Sequence, residues 1–169
     1  MDLVCGLRSL TVVFDPSATS LNAMMAAVTA VEVADNPGDQ GRFVEIPAVY
    51  DGADLHDVAQ RCALSVSEVI RRHTAVDYTV AIVGFSAGFG YLQGLDPVLD
   101  VARRSSPRVS VPAGAVAIAA GMTCVYPRSS PGGWNLLGRT DVAMWDEARD
   151  PPALLAPGDR VRFHAVRQA

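Results

Sequence analysis

From Tyr78 onward the chain consists of short β-forming runs separated by glycine and proline. Examples are YTVAIVGF, RVSVPAG, AVAIAAG and DRVRFHAV, and the 3.6-residue period of an amphipathic helix is weak throughout this region. Runs this short and this densely interrupted by turn residues are typical of a β-barrel or a β-sandwich. The sequence therefore predicts a mainly β fold for this part of the chain.

The N-terminal part has a different pattern. A strand at 11–14 is followed by a helix that Ser17 or Ser20 can cap, and the apolar residues of that helix recur on one face as far as Val31. The sequence Asn-Pro-Gly at 36–38 ends the helix, and a second strand-like run occupies 42–50. We interpret this β-α-β piece as half of a small α/β sandwich. Its second strand contains a proline, which predicts an edge strand or a bulge.

Two short helices are predicted between these regions. Asp54 can cap the first, and Ser65 with Glu68 forms a capping box for the second. His73 continues the apolar stripe of the second helix, so we expect its side chain to point inward near the helix C-terminus. Asp51, Asp54 and Asp57 are spaced as a cation site could be, but turn and cap positions explain them better, and we predict no metal.

Charge and composition exclude several classes of protein. The net charge is −4 with no basic block, so a nucleic-acid partner is not expected. The uncharged run 111–122 is too short to span a bilayer, which takes roughly 20 apolar residues, and the N-terminus lacks the features of a signal peptide. We therefore expect a cytoplasmic protein without a membrane partner. Three widely spaced cysteines, with no CxxC pair, predict free thiols.

The sequence contains no lysine, since all 14 of its basic residues are arginines. A P-loop lysine, a Schiff-base lysine and a covalent biotin attachment site are therefore excluded within this sequence. Any phosphate or carboxylate has to be met by arginine, by backbone N–H groups or by a partner subunit.

One stretch carries a recognisable signature. Residues 84–96, GFSAGFGYLQGLD, resemble the GFxPGFxYLxGLD motif of the allophanate hydrolase subunit 1, KipI and PxpB family. Ordered short matches continue through VPAG at 111–114, SPGGW at 130–134, GRT at 138–140 and PGDRVRF at 157–163, and they cover nearly the whole chain.

The resemblance implies a cyclophilin-like β-barrel at 41–169, preceded by a partial, ferredoxin-like α/β domain at 1–40. Family members usually have a longer N-terminus, so we expect this chain to be a truncation or a late start. The sequence also departs from the family pattern: Ala87 replaces a usual proline, Ala115 a serine, Met122 a glutamine and Cys124 a glycine. Loss of that glutamine removes an amide that could hold a polar substrate.

The stretch SSPGGWNLLGRT predicts a ligand site. Gly132 and Gly133 let the backbone approach a ligand closely, and Trp134 offers a flat wall. Arg139 can present a planar fork to a carboxylate or phosphate. An alternative is a barrel corner in which the tryptophan fills the core and the arginine is solvated.

The remaining candidates come from the other matching motifs. For substrate or ATP binding we add the following residues: Phe85, Gly88, Tyr91, Gly114 and Tyr126. For catalysis we predict His73 as a proton relay and Arg108 with Arg139 as electrostatic partners of anionic groups. A structural role for His73, bonded at the end of its helix, remains open.

Three functions are implied by the resemblance. The first is a subunit of an ATP-dependent 5-oxoprolinase, using ATP with Mg²⁺ through the complex. A second cyclophilin-like subunit of PxpC type and a LamB/YcsF-like protein would be its partners, and a small amide or lactam its substrate. The second is the carboxyltransferase half of a urea carboxylase or allophanate hydrolase complex, with biotin on another chain. The third is a KipI-like inhibitor of a histidine kinase.

Overall fold

The structure, a computed structural model, describes residues 1–31 and 41–167. The chain divides into two compact units, Met1–Asp39 and Gln40–Ala169. None of the helices in the described ranges has the length and apolar character that crossing a membrane requires.

The first unit contains an antiparallel hairpin and one helix. Strands β1 (Asp2–Cys5) and β2 (Leu10–Val13) pair with each other, and helix α1 (Leu21–Thr29) follows. The hydroxyl of Ser20 accepts a hydrogen bond from the Ala23 N–H at 3.2 Å, which confirms it as the helix cap. The predicted stop signal at 36–38 lies outside the described residues.

The second unit is built around a seven-stranded sheet. Its helices are α2 (Leu55–Arg61) and α3 (Val66–Thr74), with a single 3₁₀ turn at Pro97–Leu99. Its strands are β3 (Phe43–Ala48), β4 (Tyr78–Val83), β5 (Gly90–Gln93), β6 (Arg108–Val111), β7 (Ala115–Ala119), β8 (Met122–Val125), β9 (Ser130–Gly132), β10 (Asn135–Arg139) and β11 (Arg160–Ala165).

The sheet is nearly closed into a barrel. Its strand order is β10-β7-β8-β5-β4-β11-β3, and the two end strands meet where Val49 and Arg139 exchange two backbone hydrogen bonds of 2.8 Å. Strands β6 and β9 form a separate two-stranded sheet. The mainly β architecture expected from the dense turn signals is confirmed.

Strand β3 has a different partner from the one its sequence position indicated. It was predicted as the second strand of the N-terminal β-α-β piece, but it pairs in parallel with β11, more than a hundred residues later in the chain. Ile46 and Ala48 on this strand are fully buried, so pairing there completes the barrel core. Pro47 tolerates this position because β3 lies at the end of the sheet order, as predicted.

Strand β7 separates two hydrophobic clusters. All five of its residues are buried, and successive side chains point to opposite faces. Val116 and Ile118 pack with the cluster beneath α2 and α3. Three alanines point into the second cluster, together with Phe89, Cys124, Tyr126 and Trp134. Because alanine is small, this face of the sheet leaves room for a group of aromatic rings.

Candidate functional site

The second cluster opens into a small cavity, here called the aromatic cavity. Its volume is about 90 Å³, the share of liquid volume taken by about three water molecules. It is lined by Phe85, Phe89, Tyr91, Arg103, Tyr126, Pro131, Gly132, Gly133 and Trp134. The structure thus brings together six of the predicted binding residues: Phe85, Tyr91, Tyr126, Gly132, Gly133 and Trp134.

Phe89 organises the rings of this cavity. Its ring lies edge-on to Tyr91 at 4.9 Å between centroids, to Tyr126 at 5.4 Å and to Trp134 at 6.1 Å, and these T-shaped contacts favour a fixed arrangement. Phe85 contacts Phe89 at 5.3 Å but is 64% exposed, so it stands at the mouth of the cavity. The cavity is therefore rigid on its inner side and open at Phe85.

Gly88 serves the loop and does not line the cavity. The Phe89 N–H donates to the Ser86 carbonyl at 3.0 Å, which closes a turn with Ala87 and Gly88 as its central residues. Gly88 has a φ of +77°, and a Cβ there would lie 2.8 Å from the Met144 carbonyl. The position therefore requires glycine for both its backbone conformation and its packing.

Gly132 is needed because Tyr126 packs directly against it. A Cβ on Gly132 would lie 2.2 Å from the Tyr126 hydroxyl oxygen, whereas a Cβ on Gly133 would meet nothing closer than 3.7 Å. Burial raises the pKa of Tyr126 to about 12. Its hydroxyl therefore remains protonated near neutrality and can donate a hydrogen bond inside the cavity.

Arg103 supplies the positive charge of this site, and sequence reasoning missed it. Its guanidinium carbon lies 5.8 Å from the centre of the Trp134 ring, a cation–π distance. The preceding and following residues hold it in place: the Asn135 amide donates to the Ala102 carbonyl at 3.0 Å, and the Arg104 N–H donates to the Gly133 carbonyl at 2.8 Å. Adjacent arginines before Ser-Ser-Pro were the available signal.

Arg108, predicted to bind anionic groups, forms a buried ion pair. Both of its terminal nitrogens donate to the Asp54 carboxylate, at 2.8 and 2.9 Å, and Arg104 donates to the same carboxylate at 2.7 Å. The Leu136 N–H adds a fourth bond at 2.7 Å. Burial opposes ionisation of Asp54, but the hydrogen bonds from Arg108 and Leu136 outweigh it and hold the pKa of the carboxyl below its usual range.

Asp54 therefore acts differently from the helix cap that was predicted. It occupies the N-cap position of α2, but its side chain makes no capping hydrogen bond. The carboxylate instead ties β10 to the segment between β5 and β6. Asp51 and Asp57 pair with Arg139 and Arg61, so each of the three aspartates has an arginine partner. Among the residues that the structure describes, no group of three acidic, histidine or cysteine side chains could hold a metal ion.

Arg139 and Gly114 lie outside the aromatic cavity. Trp134 directly precedes β10 and Arg139 ends it, so roughly 16 Å of extended strand separates their backbones. The Arg139 Nε donates to Asp51 at 2.9 Å, and its side chain lines another cavity, beside Val49. Gly114 packs against the Thr140 carbonyl, which a Cβ would approach to 2.2 Å. The predicted fork at Arg139 is thus separated from the tryptophan it was expected to accompany.

His73 points inward as expected and has no exposed surface. Its Nδ1 is 2.7 Å from the Tyr50 hydroxyl, and its Nε2 is 2.8 Å from the Thr123 hydroxyl. Burial lowers the pKa of the imidazole to about 3, so the ring is neutral at physiological pH. Both ring nitrogens have partners in the core, and this geometry supports the structural role that the sequence left open.

Comparison with known proteins places the chain in a family. The model of the carboxyltransferase domain, subdomain C and D, matches residues 1–155. The chain belongs to this family. A 5-oxoprolinase subunit of Escherichia coli O157:H7 is 42% identical over 167 residues, which cover 96% of this chain and 77% of that protein.

Solved structures of family-like proteins share the fold. The crystal structure of TTHA0988 superposes with a TM-score of 0.86 at 40% identity, over 99% of this chain. This chain spans about a third of the length of TTHA0988, of which 33% is covered. The Kluyveromyces lactis urea carboxylase superposes with a TM-score of 0.78 at 22% identity, over 98% of this chain and 18% of that one. The predicted cyclophilin-like barrel class is confirmed.

Three of the four departures from the family pattern lie in or against the second cluster, whereas Ala87 lies in the turn at 86–89. Ala115 and Cys124 are buried in the second cluster, and Met122 packs against it. Burial raises the pKa of the Cys124 thiol well above its ordinary value, so the thiol remains protonated and unreactive. All three residues are apolar or weakly polar, and none of them lines the aromatic cavity itself.

Proposed function

We propose that this chain is a subunit of an ATP-dependent 5-oxoprolinase, in which a second cyclophilin-like subunit completes the site and a LamB/YcsF-like protein takes part in ring opening. The observation that carries the proposal is the aromatic cavity in a chain 42% identical to a known 5-oxoprolinase subunit. At about 90 Å³ the cavity would hold only part of a lactam ring, and its aromatic walls match the apolar faces of such a ring.

The residues of the cavity match the needs of lactam activation. Bound ATP would supply the phosphoryl group that activates the lactam carbonyl for attack by water. The Trp134 and Phe89 rings, packed edge-to-face at 6.1 Å, form one apolar side of the cavity, and the substrate ring would rest against that side. The protonated Tyr126 hydroxyl donates a hydrogen bond to a substrate oxygen, and the Arg103 guanidinium compensates negative charge that develops there.

The test is ATP turnover by the assembled complex. The chain is co-expressed with its second barrel subunit and its LamB/YcsF-like protein, and ADP release is measured with and without 5-oxoproline. We expect release to depend on 5-oxoproline and to fall at least tenfold in Trp134→Ala, because that substitution removes one wall of the cavity. Trp145→Ala is the matched control, since Trp145 lies outside the aromatic cavity. Absence of stimulation by 5-oxoproline or any other lactam or small amide contradicts the proposal.

A second function is favoured by the family itself, whose matching model describes a carboxyltransferase domain. In this function the aromatic cavity would receive a carboxyl group from biotin on another chain, since this sequence has no lysine to attach it. Urea-dependent ATP hydrolysis that requires a biotin carboxylase, and that avidin inhibits, would support it over the first proposal. The kinase-inhibitor function stays a prediction from the resemblance.

A further inference from the structure

A larger, polar cavity adjoins the aromatic cavity. It has a volume of about 500 Å³, within the usual range for small-molecule sites. It is lined by Asp57, Arg61, Arg103, Arg104, Ser105, Ser106 and Asn135, and is here called the arginine cleft. Arg103 lines both cavities, so a ligand in the arginine cleft and a ligand in the aromatic cavity can contact the same guanidinium group.

The charge around the arginine cleft is positive, although the chain as a whole is acidic. Three arginines line the cleft, and Arg108 adds a fourth charge through its ion pair with Asp54. Asp54 and Asp57 are the two carboxylates paired with these arginines. Four positive charges against two negative charges leave an excess of two. An anion entering the cleft therefore meets uncompensated positive charge.

Within the described ranges, the arginines of the cleft have N–H groups that are unpaired or only weakly paired. The Arg104 Nε is buried and has no partner in the described part of the chain, although its terminal nitrogen bonds Asp54. Arg103 forms no ion pair with any carboxylate of residues 1–31 and 41–167. Arg61 donates to the Asp57 carboxylate at 3.3 Å and to the Asn135 side-chain amide oxygen at 3.2 Å, both longer than a strong charge-assisted bond.

We infer that the arginine cleft binds the phosphate chain of the nucleotide, with Arg103 at the junction between that chain and the substrate in the aromatic cavity. This inference rests on the proposed function, and it names the part of the chain that holds the phosphates. In the absence of lysine, guanidinium groups and the hydroxyls of Ser105 and Ser106 provide the donors.

The lining of the cleft selects phosphate over other anions. A single carboxylate is matched by one guanidinium fork, whereas three arginines and two hydroxyls match the many oxygens and the multiple charge of a phosphate chain. None of the seven lining residues is aromatic or aliphatic, so the cleft offers no surface on which a base could stack. The affinity should therefore come from the phosphates, and tripolyphosphate should bind about as tightly as ATP.

The position of Arg103 gives the cleft a catalytic consequence. The carbonyl oxygen of a lactam in the aromatic cavity and the end of a phosphate chain in the cleft both lie within reach of this one side chain. Phosphoryl transfer depends chiefly on positioning and on compensating charge, which is what a shared guanidinium provides. The hydrogen bonds that the Asn135 side-chain amide donates to the Ala102 carbonyl and the Arg104 N–H donates to the Gly133 carbonyl keep Arg103 at this junction.

Calorimetric titration of the 169-residue chain with sodium tripolyphosphate, without Mg²⁺, tests the inference. We expect saturable binding that weakens with added salt. Arg103→Gln should weaken it about tenfold, and the double variant Arg61→Gln/Arg103→Gln should weaken it further, because each loses charge-assisted hydrogen bonds. Arg128→Gln is the matched control, an exposed arginine that lines neither cavity, and its affinity should stay within about twofold of the parent.

Three results would overturn the inference. The first is the absence of saturable binding up to roughly 10 mM tripolyphosphate. The second is equal affinity of the parent and Arg103→Gln for tripolyphosphate, and the third is a loss of affinity in Arg128→Gln as large as that in Arg103→Gln. A fourth contradicting result would be ATP binding far more tightly than tripolyphosphate, because the affinity would then come from the nucleoside and not from the phosphates. Circular dichroism and urea unfolding of each variant show whether a loss of binding reflects loss of folding.

The inference and the proposed function can fail separately. Arginine-dependent tripolyphosphate binding without 5-oxoproline-dependent ATP turnover would support the cleft and contradict the oxoprolinase. Turnover that is unchanged in Arg103→Gln, in a chain that does not bind tripolyphosphate, would support the oxoprolinase and contradict the cleft.

Discussion

The buried histidine predicts a loss of stability under mild acid. Unfolding exposes His73 to water, where its pKa returns to the ordinary value of 6.5, whereas burial lowers the pKa to about 3 in the folded chain. Below pH 6.5 the unfolded chain therefore binds a proton that the folded chain does not, and folding is weakened by about 1.36 kcal/mol per pH unit. Between pH 7.5 and pH 5.0 the free energy of unfolding should fall by about 2 kcal/mol.

This pH window separates the histidine from the carboxylates. Asp54 and Asp159 have a lowered pKa in the folded chain, so their contribution to stability is lost only as the pH falls below the ordinary aspartate value of 3.8. The titratable side chains that pack on His73 are Tyr50 and Tyr78, whose pKa values burial raises still further above this window. Among the described residues that contact the imidazole, none titrates between pH 5.0 and 7.5.

The assay is urea unfolding followed by circular dichroism at pH 7.5, 6.5, 5.5 and 5.0 at constant ionic strength. His73→Gln is the control, because an amide can keep a hydrogen bond to Tyr50 or Thr123 but cannot titrate. We expect this variant to be less stable overall and to lose the pH dependence. A parent chain whose unfolding free energy changes by less than about 0.5 kcal/mol, or a variant with the same slope as the parent, would refute the reasoning.

Three further predictions follow from the contacts around the site. Asp54→Asn should lower the unfolding free energy by about 3 kcal/mol, since it breaks a buried ion pair with two arginines, whereas Asp51→Asn, in a half-exposed ion pair, should lower it by less than about 1 kcal/mol. Urea unfolding of both variants measures the two losses, and equal losses would contradict the prediction. Gly132→Ala should lower the unfolding free energy by about 1–3 kcal/mol because the new Cβ meets the Tyr126 hydroxyl, whereas Gly133→Ala should be tolerated. Calorimetry should give the lower Tm for Gly132→Ala, and the reverse order would contradict the packing described. Ala87→Pro should raise the unfolding free energy by about 0.4–1 kcal/mol, because a turn with a positive-φ glycine at its third position accepts proline at its second. A lowered Tm would show that the turn at 86–89 is not of this type.

Much of the architecture could be predicted from local sequence patterns. The capping hydroxyls of Ser20 and Ser65, the inward orientation of His73 and the edge position of Pro47 depend on nearest neighbours along the chain, and all are confirmed. The pairing of β3 with β11 was missed because no local signal identifies a partner more than a hundred residues away.

The candidate site also contains features that local sequence could predict and features that it could not. Its glycines and aromatic residues could be found because close backbone approach and flat walls require those residue types wherever they occur. The arginine that accompanies them was missed, because the adjacent arginines at 103 and 104 are a weak signal and an arginine side chain has similar properties in every local sequence. Arg103, Arg108 and Arg139 were distinguishable only once the barrel placed the first over Trp134, the second against Asp54 and the third at the far end of β10.

The sequence by itself determined most of the elements, though not strand β1, together with the turn chemistry and the absence of lysine, all of which are properties of residue type and short-range order. Tertiary structure alone decided where the charge lies. Long side chains of one kind differ only in their neighbours, and those neighbours are set by strand order and by the burial of Asp54. The placement of positive charge beside the aromatic cavity is therefore a product of the nearly closed sheet.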